Sequence, residues 1–259
     1  MRCVDVHIHL SDFSYQPIMP HVIEISKKAG VIGLVANSED LQSSLTTLSL
    51  SEEYPSYVYP ALGLHPQKIT GTTLVQIDDI EAMIRSQKQR IVAIGEIGLD
   101  GVYASTGEME DLQNKTFNRF LGLAEELRLP VIVHSRRAAG KVLDSLDKYD
   151  LHSAILHWYS GPVESVSRIV DRGYYVTFGP SILYAKHIQN LASEIPLDYI
   201  LTESDGPVPY REMFEGKQTM PAFVVEVTKK LAAIKGLTLE QICSSIIKNV
   251  KTALPGFHG

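Results

Sequence analysis

Short apolar runs rich in β-branched residues recur along the chain, near residues 2–9, 31–36, 57–64, 91–97, 130–134, 153–157, 173–178 and 198–203. Their length and composition predict buried β-strands. Most of the intervals carry a helical period instead. The clearest is Phe117, Phe120, Leu121, Ala124 and Leu127, apolar at i, i+3, i+4 and beyond on one face. Gly30, Pro130 and Gly173 punctuate joins from helix to strand. Strands alternating with helices imply a parallel sheet. Eight such units in 259 residues suit a (β/α)8 TIM barrel, which typically takes roughly 250 residues. The competing architecture is an open doubly wound sheet, and the sequence has no glycine-rich phosphate loop to favour it. No low-complexity stretch or linker divides the chain, so residues 1–259 are read as a single α/β domain.

A barrel of this kind carries its chemistry at the C-terminal ends of its strands, and the ligand-type residues fall there. In the first strand Asp5, His7 and His9 share one face while Val4, Val6 and Ile8 share the other. Two imidazoles at strand spacing can hold a metal ion from two sides; taken alone, the pattern equally fits a half-buried strand with exposed polar residues. His65 follows the third strand, Glu96 ends the fourth, His134 the fifth and His157 the sixth, and Glu203 and Asp205 end the eighth. His152 precedes its strand and belongs to the opposite end, while His21, His187 and His258 fit surface or helix positions. Carboxylates crowded on one rim would repel and raise one another's pKa values, a conflict that divalent cations remove. Five histidines and three carboxylates are too many for one tetrahedral site with an open position. They suit two ions roughly 3.5–4 Å apart sharing a carboxylate, and Glu96 is the natural bridge because its strand lies between the two histidine groups.

Composition narrows the picture further. Lys and Arg total 24 against 30 Asp and Glu, a formal charge of −6, which argues against a broad basic surface for coating nucleic acid. It leaves room for a local cationic site made by bound ions. Cys3 and Cys243 are the only cysteines and read as two reduced thiols. The first residues run straight into a strand without a signal-peptide pattern, and no apolar run approaches the roughly 20 residues that span a bilayer. The expectation is a soluble cytoplasmic protein with no membrane association and no obligate protein partner.

Six sequence blocks together resemble the TatD family of metal-dependent deoxyribonucleases, within the amidohydrolase-like barrels. They are Asp5-x-His7-x-His9, Gly63-x-His65-Pro66, Gly95-Glu96-Ile97-Gly98-Leu99-Asp100, Leu129 through Arg136, His157-x-x-x-Gly161 and Glu203-x-Asp205-x-Pro207. The first is shared with many amidohydrolases; the fourth-strand block, combined with the others, is far more specific. Many relatives outside the family bridge their metals with a modified lysine after the fourth strand, where this chain has Glu96. The resemblance implies that His7, His9 and Asp205 bind one ion, His134 and His157 the other, and Glu96 both. It implies that His65 and Glu203 contact substrate or an ordered water.

The expected reaction is phosphodiester hydrolysis, with DNA as substrate in single strands or at 3′ ends, attacked exonucleolytically. Asp205 would be ligand and base, with Glu203 and His65 assisting. Arg136 would fork a phosphate and Trp158 would stack a base; for Tyr159, stacking and packing stand equal. The two divalent ions would be Zn, Mn, Mg or Ni. A second possibility keeps both ions but hydrolyses a small amide, lactone or phosphoester, and a third is a non-catalytic metal-binding barrel. The chain departs from the family pattern at Gly101, with Tyr103 two residues on, where an aromatic or longer polar residue is usual. It departs again at Arg137, usually acidic, at Trp158-Tyr159, usually Cys-Phe, and at Ser204, usually Thr. These positions change pocket walls and leave the candidate ligands intact.

Overall fold

Every apolar run forms a strand in the computed structural model, which describes residues 1–70 and 74–259. The strands are β1 (Cys3–Ile8), β2 (Val31–Asn37), β3 (Val58–Leu62), β4 (Ala93–Gly98), β5 (Val131–His134), β6 (Ala154–Leu156), β7 (Tyr175–Phe178) and β8 (Ile200–Thr202). Between and after them lie α1 (Met19–Ala29), α2 (Leu41–Glu53), α3 (Leu74–Gln87), α4 (Gly107–Leu127), α5 (Ala139–Leu146), α6 (Val166–Asp171), α7 (Lys186–Glu194), α8 (Val224–Lys235) and α9 (Leu239–Ala253). Each strand pairs in parallel with the next, in the order β1 to β8. At the seam between the last strand and the first, Thr202 Oγ1 donates to the Val4 carbonyl at 2.7 Å. Just beyond it, Asp205 N–H donates to His7 O at 2.9 Å and His9 N–H to Gly206 O at 2.8 Å. The architecture is the expected (β/α)8 barrel.

The local signals act as their chemistry requires. Asp40 caps α2 in a capping box with Ser43, and Thr238 does the same for α9 with Gln241. On α4, Phe117, Phe120, Leu121 and Ala124 are buried in the main core, with Leu127 packed at its edge. Apart from β2, the strands are shorter than the apolar runs: the run near 198–203 contributes only Ile200–Thr202 to the sheet, and residues 197–199 form a helical turn before it. This shortening matters for the site. His9, His157 and Glu203 stand just past the last paired residues of their strands, on the rim. Among the described residues no helix is long and apolar enough to cross a membrane.

Candidate metal centre

Glu96 sits at the centre of the rim, almost fully buried, and its two oxygens face two sets of neighbours. Toward Oε2 come His7 Nε2 at 3.2 Å and His9 Nε2 at 3.3 Å. The same two nitrogens lie 3.5 and 3.6 Å from Asp205 Oδ1. Toward Oε1 come His134 Nδ1 at 2.7 Å, His65 Nε2 at 3.3 Å and His157 Nε2 at 3.4 Å. The alternation expected of β1 therefore holds: His7 and His9 converge, with their Nε2 atoms 3.2 Å apart.

The backbone is bent to achieve this. Trp158 and Asp205 both adopt left-handed conformations, φ 38° and 51°, which non-glycine residues rarely take outside functional turns. Gly98, at φ 144°, ends β4 so close to β5 that a Cβ there would stand 2.1 Å from the His134 carbonyl oxygen. Only glycine lets the strand carrying Glu96 lie that near the strand carrying His134.

Outer partners fix the rings. His9 Nδ1 lies 3.1 Å from the Asn37 carbonyl oxygen, to which only an N–H can donate. His157 Nδ1 lies 3.1 Å from Glu203 Oε2. Thr177 Oγ1 donates to that same oxygen at 2.5 Å and accepts from Trp158 N–H at 2.8 Å. Asp5 takes Ser204 N–H at 2.9 Å, Ser204 Oγ at 2.5 Å and His7 N–H at 3.3 Å.

The electrostatics separate the rings. Burial presses His7 and His157 down to about 3, so both are neutral. Burial also opposes charge on His9, but Glu96 and then Asp205 outweigh it and raise the ring to about 10. His134 is lifted against the same penalty to about 9 by Asp100 and Glu96. Burial works against the Glu96 charge as well, yet His65 and the hydrogen bond from His134 hold its carboxyl well below the usual range. Burial, then the Glu203 charge, push Asp205 well above that range, and burial lifts Glu203 to about 7.

These side chains fit divalent cations. Glu96 Oε2 and Asp205 Oδ1 are buried carboxylate oxygens without a hydrogen-bond partner, a costly arrangement unless a positive charge completes it. Among the described residues three groups offer donor atoms within 4.8 Å of one another: His7, His9 and Glu96; His65, Glu96 and His134; and His7, His157 and Glu203. The carboxylates that favour a proton on His9 and His134 would equally favour a metal ion there.

The cluster opens into a cavity of about 690 Å³ lined by His9, His65, Glu96, His134, His157 and Asp205 together with Arg136, Trp158 and Tyr103. Arg136 is exposed. The Trp158 ring stacks on Tyr210 with centroids 5.5 Å apart. Glu203, expected to contact substrate or an ordered water, points at protein groups. It is fully buried and lies outside the cavity lining, with its oxygens taken by His157, Thr177 and Trp158 N–H. Tyr159 resolves toward packing, being 1% exposed with its hydroxyl on the Pro162 carbonyl. His187, assigned no role from sequence, is exposed at the start of α7 and also lines the cavity. Sequence reasoning gave no part to Asp100, Thr177 or Asn37. Asp100 lay within a quoted motif, whereas Thr177 and Asn37 carried no local signal.

A family model described as "TatD related DNase" matches residues 4–255. An uncharacterized metal-dependent hydrolase of Methanocaldococcus jannaschii, MJ1582, is 32% identical over 250 residues, covering 96% of this chain and 95% of that protein. Human deoxyribonuclease TATDN3 is 31% identical over 262 residues, covering 97% and 94%. The crystal structure of YjjV, a TatD homolog from Escherichia coli, superposes with a TM-score of 0.90 at 26% identity and covers 98% of both chains.

Proposed function

The chain belongs to the TatD family of metal-dependent hydrolases, and from that membership we propose that it is a deoxyribonuclease with a binuclear centre. The observation that carries the reading is Glu96, whose two oxygens address two separate donor sets. His7, His9 and Asp205 would hold one ion, His134 and His157 the other, and Glu96 both. His65, whose nitrogen is as close to Glu96 Oε1 as that of His157, lines the cavity and would contact substrate. Divalent ions there would supply Lewis acidity, acidifying water and offsetting charge on phosphoryl oxygens.

The chain's own groups do the rest. Asp205 Oδ1, without a hydrogen-bond partner and basic through burial, takes the proton of the attacking water. Arg136 binds a non-bridging phosphate pair through its planar fork. Trp158, backed by Tyr210, stacks the adjoining base. Glu203 holds His157 from behind and acts through it. A concave cavity of about 690 Å³ beside the cluster has room for a strand end, and the proposed action is exonucleolytic on single strands or 3′ ends.

Purified protein with Mg²⁺ or Mn²⁺ should release nucleotides from single-stranded DNA, and Glu96→Ala should abolish the release. Absence of nucleotide release from the unsubstituted protein rejects the nuclease reading. The acidic wall of the cavity, with Asp12 and Glu39 alongside the cluster, favours one competing substrate class, a small ester or lactone. A panel of such compounds run beside the DNA separates the two.

A further inference from the structure

The His134 ring is gripped by two carboxylates. Its Nδ1 lies 2.7 Å from Glu96 Oε1 and its Nε2 2.8 Å from Asp100 Oδ2. Asp100 is 1% exposed, and its other oxygen accepts the backbone N–H groups of Val102 at 2.7 Å and Tyr103 at 3.3 Å. Its own N–H donates to Gln113 Oε1 at 2.9 Å, from the buried face of α4, and Gln113 Nε2 reaches the Pro66 carbonyl beside His65. The carboxylate is thus immobilised from behind.

An ionised carboxylate only accepts, so both ring nitrogens of His134 face acceptors; a cation held by Nδ1 and Glu96 would take the Nδ1 lone pair and leave the ring proton on Nε2, donating to Asp100. The turn held by the second oxygen is equally constrained. Gly101 N–H donates to the Arg136 carbonyl at 2.8 Å, and a Cβ at Gly101 would come 2.8 Å from the Arg137 oxygen. Glycine at this departure from the family pattern is therefore what allows the turn to lie against the Arg136–Arg137 backbone, and Tyr103 at its end lines the cavity.

We propose that Asp100 is a positioning residue with two duties: one oxygen aims His134 Nδ1 at the cation, and the other pins the turn that presents Tyr103 to the substrate. Cation binding and order in residues 101–103 then reinforce each other, because coupling between two sites is reciprocal. The inference rests on the reading of His134 as a metal ligand.

Zn²⁺ affinity of the purified full-length protein, measured against a competing chelator, tests it together with hydrogen exchange of residues 100–106 with and without Zn²⁺. In Asp100→Asn the amide oxygen still accepts from the turn, while the NH₂ faces His134 Nε2 and moves the ring proton to Nδ1. That variant should keep the turn's exchange protection and bind at least one Zn²⁺ equivalent 10- to 100-fold more weakly. Asp100→Ala should lose affinity and also exchange the turn at least about tenfold faster. In the unsubstituted protein Zn²⁺ should slow exchange of the same turn. Zn²⁺ binding by Asp100→Asn within twofold of the unsubstituted protein overturns the proposal. So does turn exchange that ignores Zn²⁺, or that stays protected in Asp100→Ala. Absence of Zn²⁺ binding by the unsubstituted protein instead overturns the reading of His134 as a ligand, and this inference with it.

Discussion

Thr177 touches no candidate ligand nitrogen, yet two elements of the site meet on its hydroxyl, which donates to Glu203 Oε2 and accepts from Trp158 N–H. Replacing it with valine keeps the volume and removes two buried hydrogen bonds, although Trp158 N–H retains Glu203 Oε1 and Glu203 Oε2 retains His157. Buried bonds of this kind, one of them to a carboxylate, contribute about 1–3 kcal/mol. Thr177→Val should therefore lower the free energy of unfolding by about that amount in urea titrations, a loss that a surface threonine would not produce. This residue also marks the limit of what the sequence conveys. The histidines and carboxylates at strand ends were legible because residue type, strand period and barrel polarity all point at one rim. Thr177, Asn37 and Asp5 act through orientation, a hydroxyl or carbonyl aimed at a particular neighbour, and residue type alone does not encode that. Glu203 shows the same limit: the sequence locates it on the rim, but its direction, toward His157, depends on the left-handed turn at Trp158 and the reach of β7.

Among the elements, β4 bears the tightest constraint. Its last residue, Gly98, has a conformation that L residues rarely adopt and stands against the backbone of β5. Gly98→Ala would add backbone strain of order 1–3 kcal/mol to a collision with the His134 carbonyl. The expected outcome is a protein destabilised by more than about 2 kcal/mol in chemical denaturation, with weakened metal affinity although every ligand remains. The eight strands and the long apolar face of α4 were readable because apolar period survives in sequence. The exact ends of the strands were not: β6 contributes three paired residues and β8 three, and where a ladder stops is decided by the neighbouring strand. The turn at 101–103 was equally opaque, since its shape comes from the Asp100 carboxylate and from the room that Gly101 leaves beside Arg137.

The molecule as a whole buries a concentration of charge that its barrel alone does not neutralise. A cation bound only to the folded state adds stability with its concentration, about 2.7 kcal/mol at a hundred times its Kd. For a chain of this size that corresponds to roughly 5–10 °C in melting temperature. Calorimetry should show a rise of that order on adding Zn²⁺ or Mn²⁺ to chelator-treated protein, reversed by chelator. Coincident melts would mean that the buried Glu96 and Asp205 oxygens are compensated by some other means.

The seam where β8 returns to β1 has a consequence for how the molecule comes into being. His7 and His9 are made some two hundred positions before Asp205, whose N–H bonds back to the His7 carbonyl. A nascent chain therefore holds imidazoles without the carboxylate that completes their cage, and a chain cut short before its eighth strand never acquires it. The cluster of His7, His9 and Asp205 is therefore complete only once β8 has closed against β1.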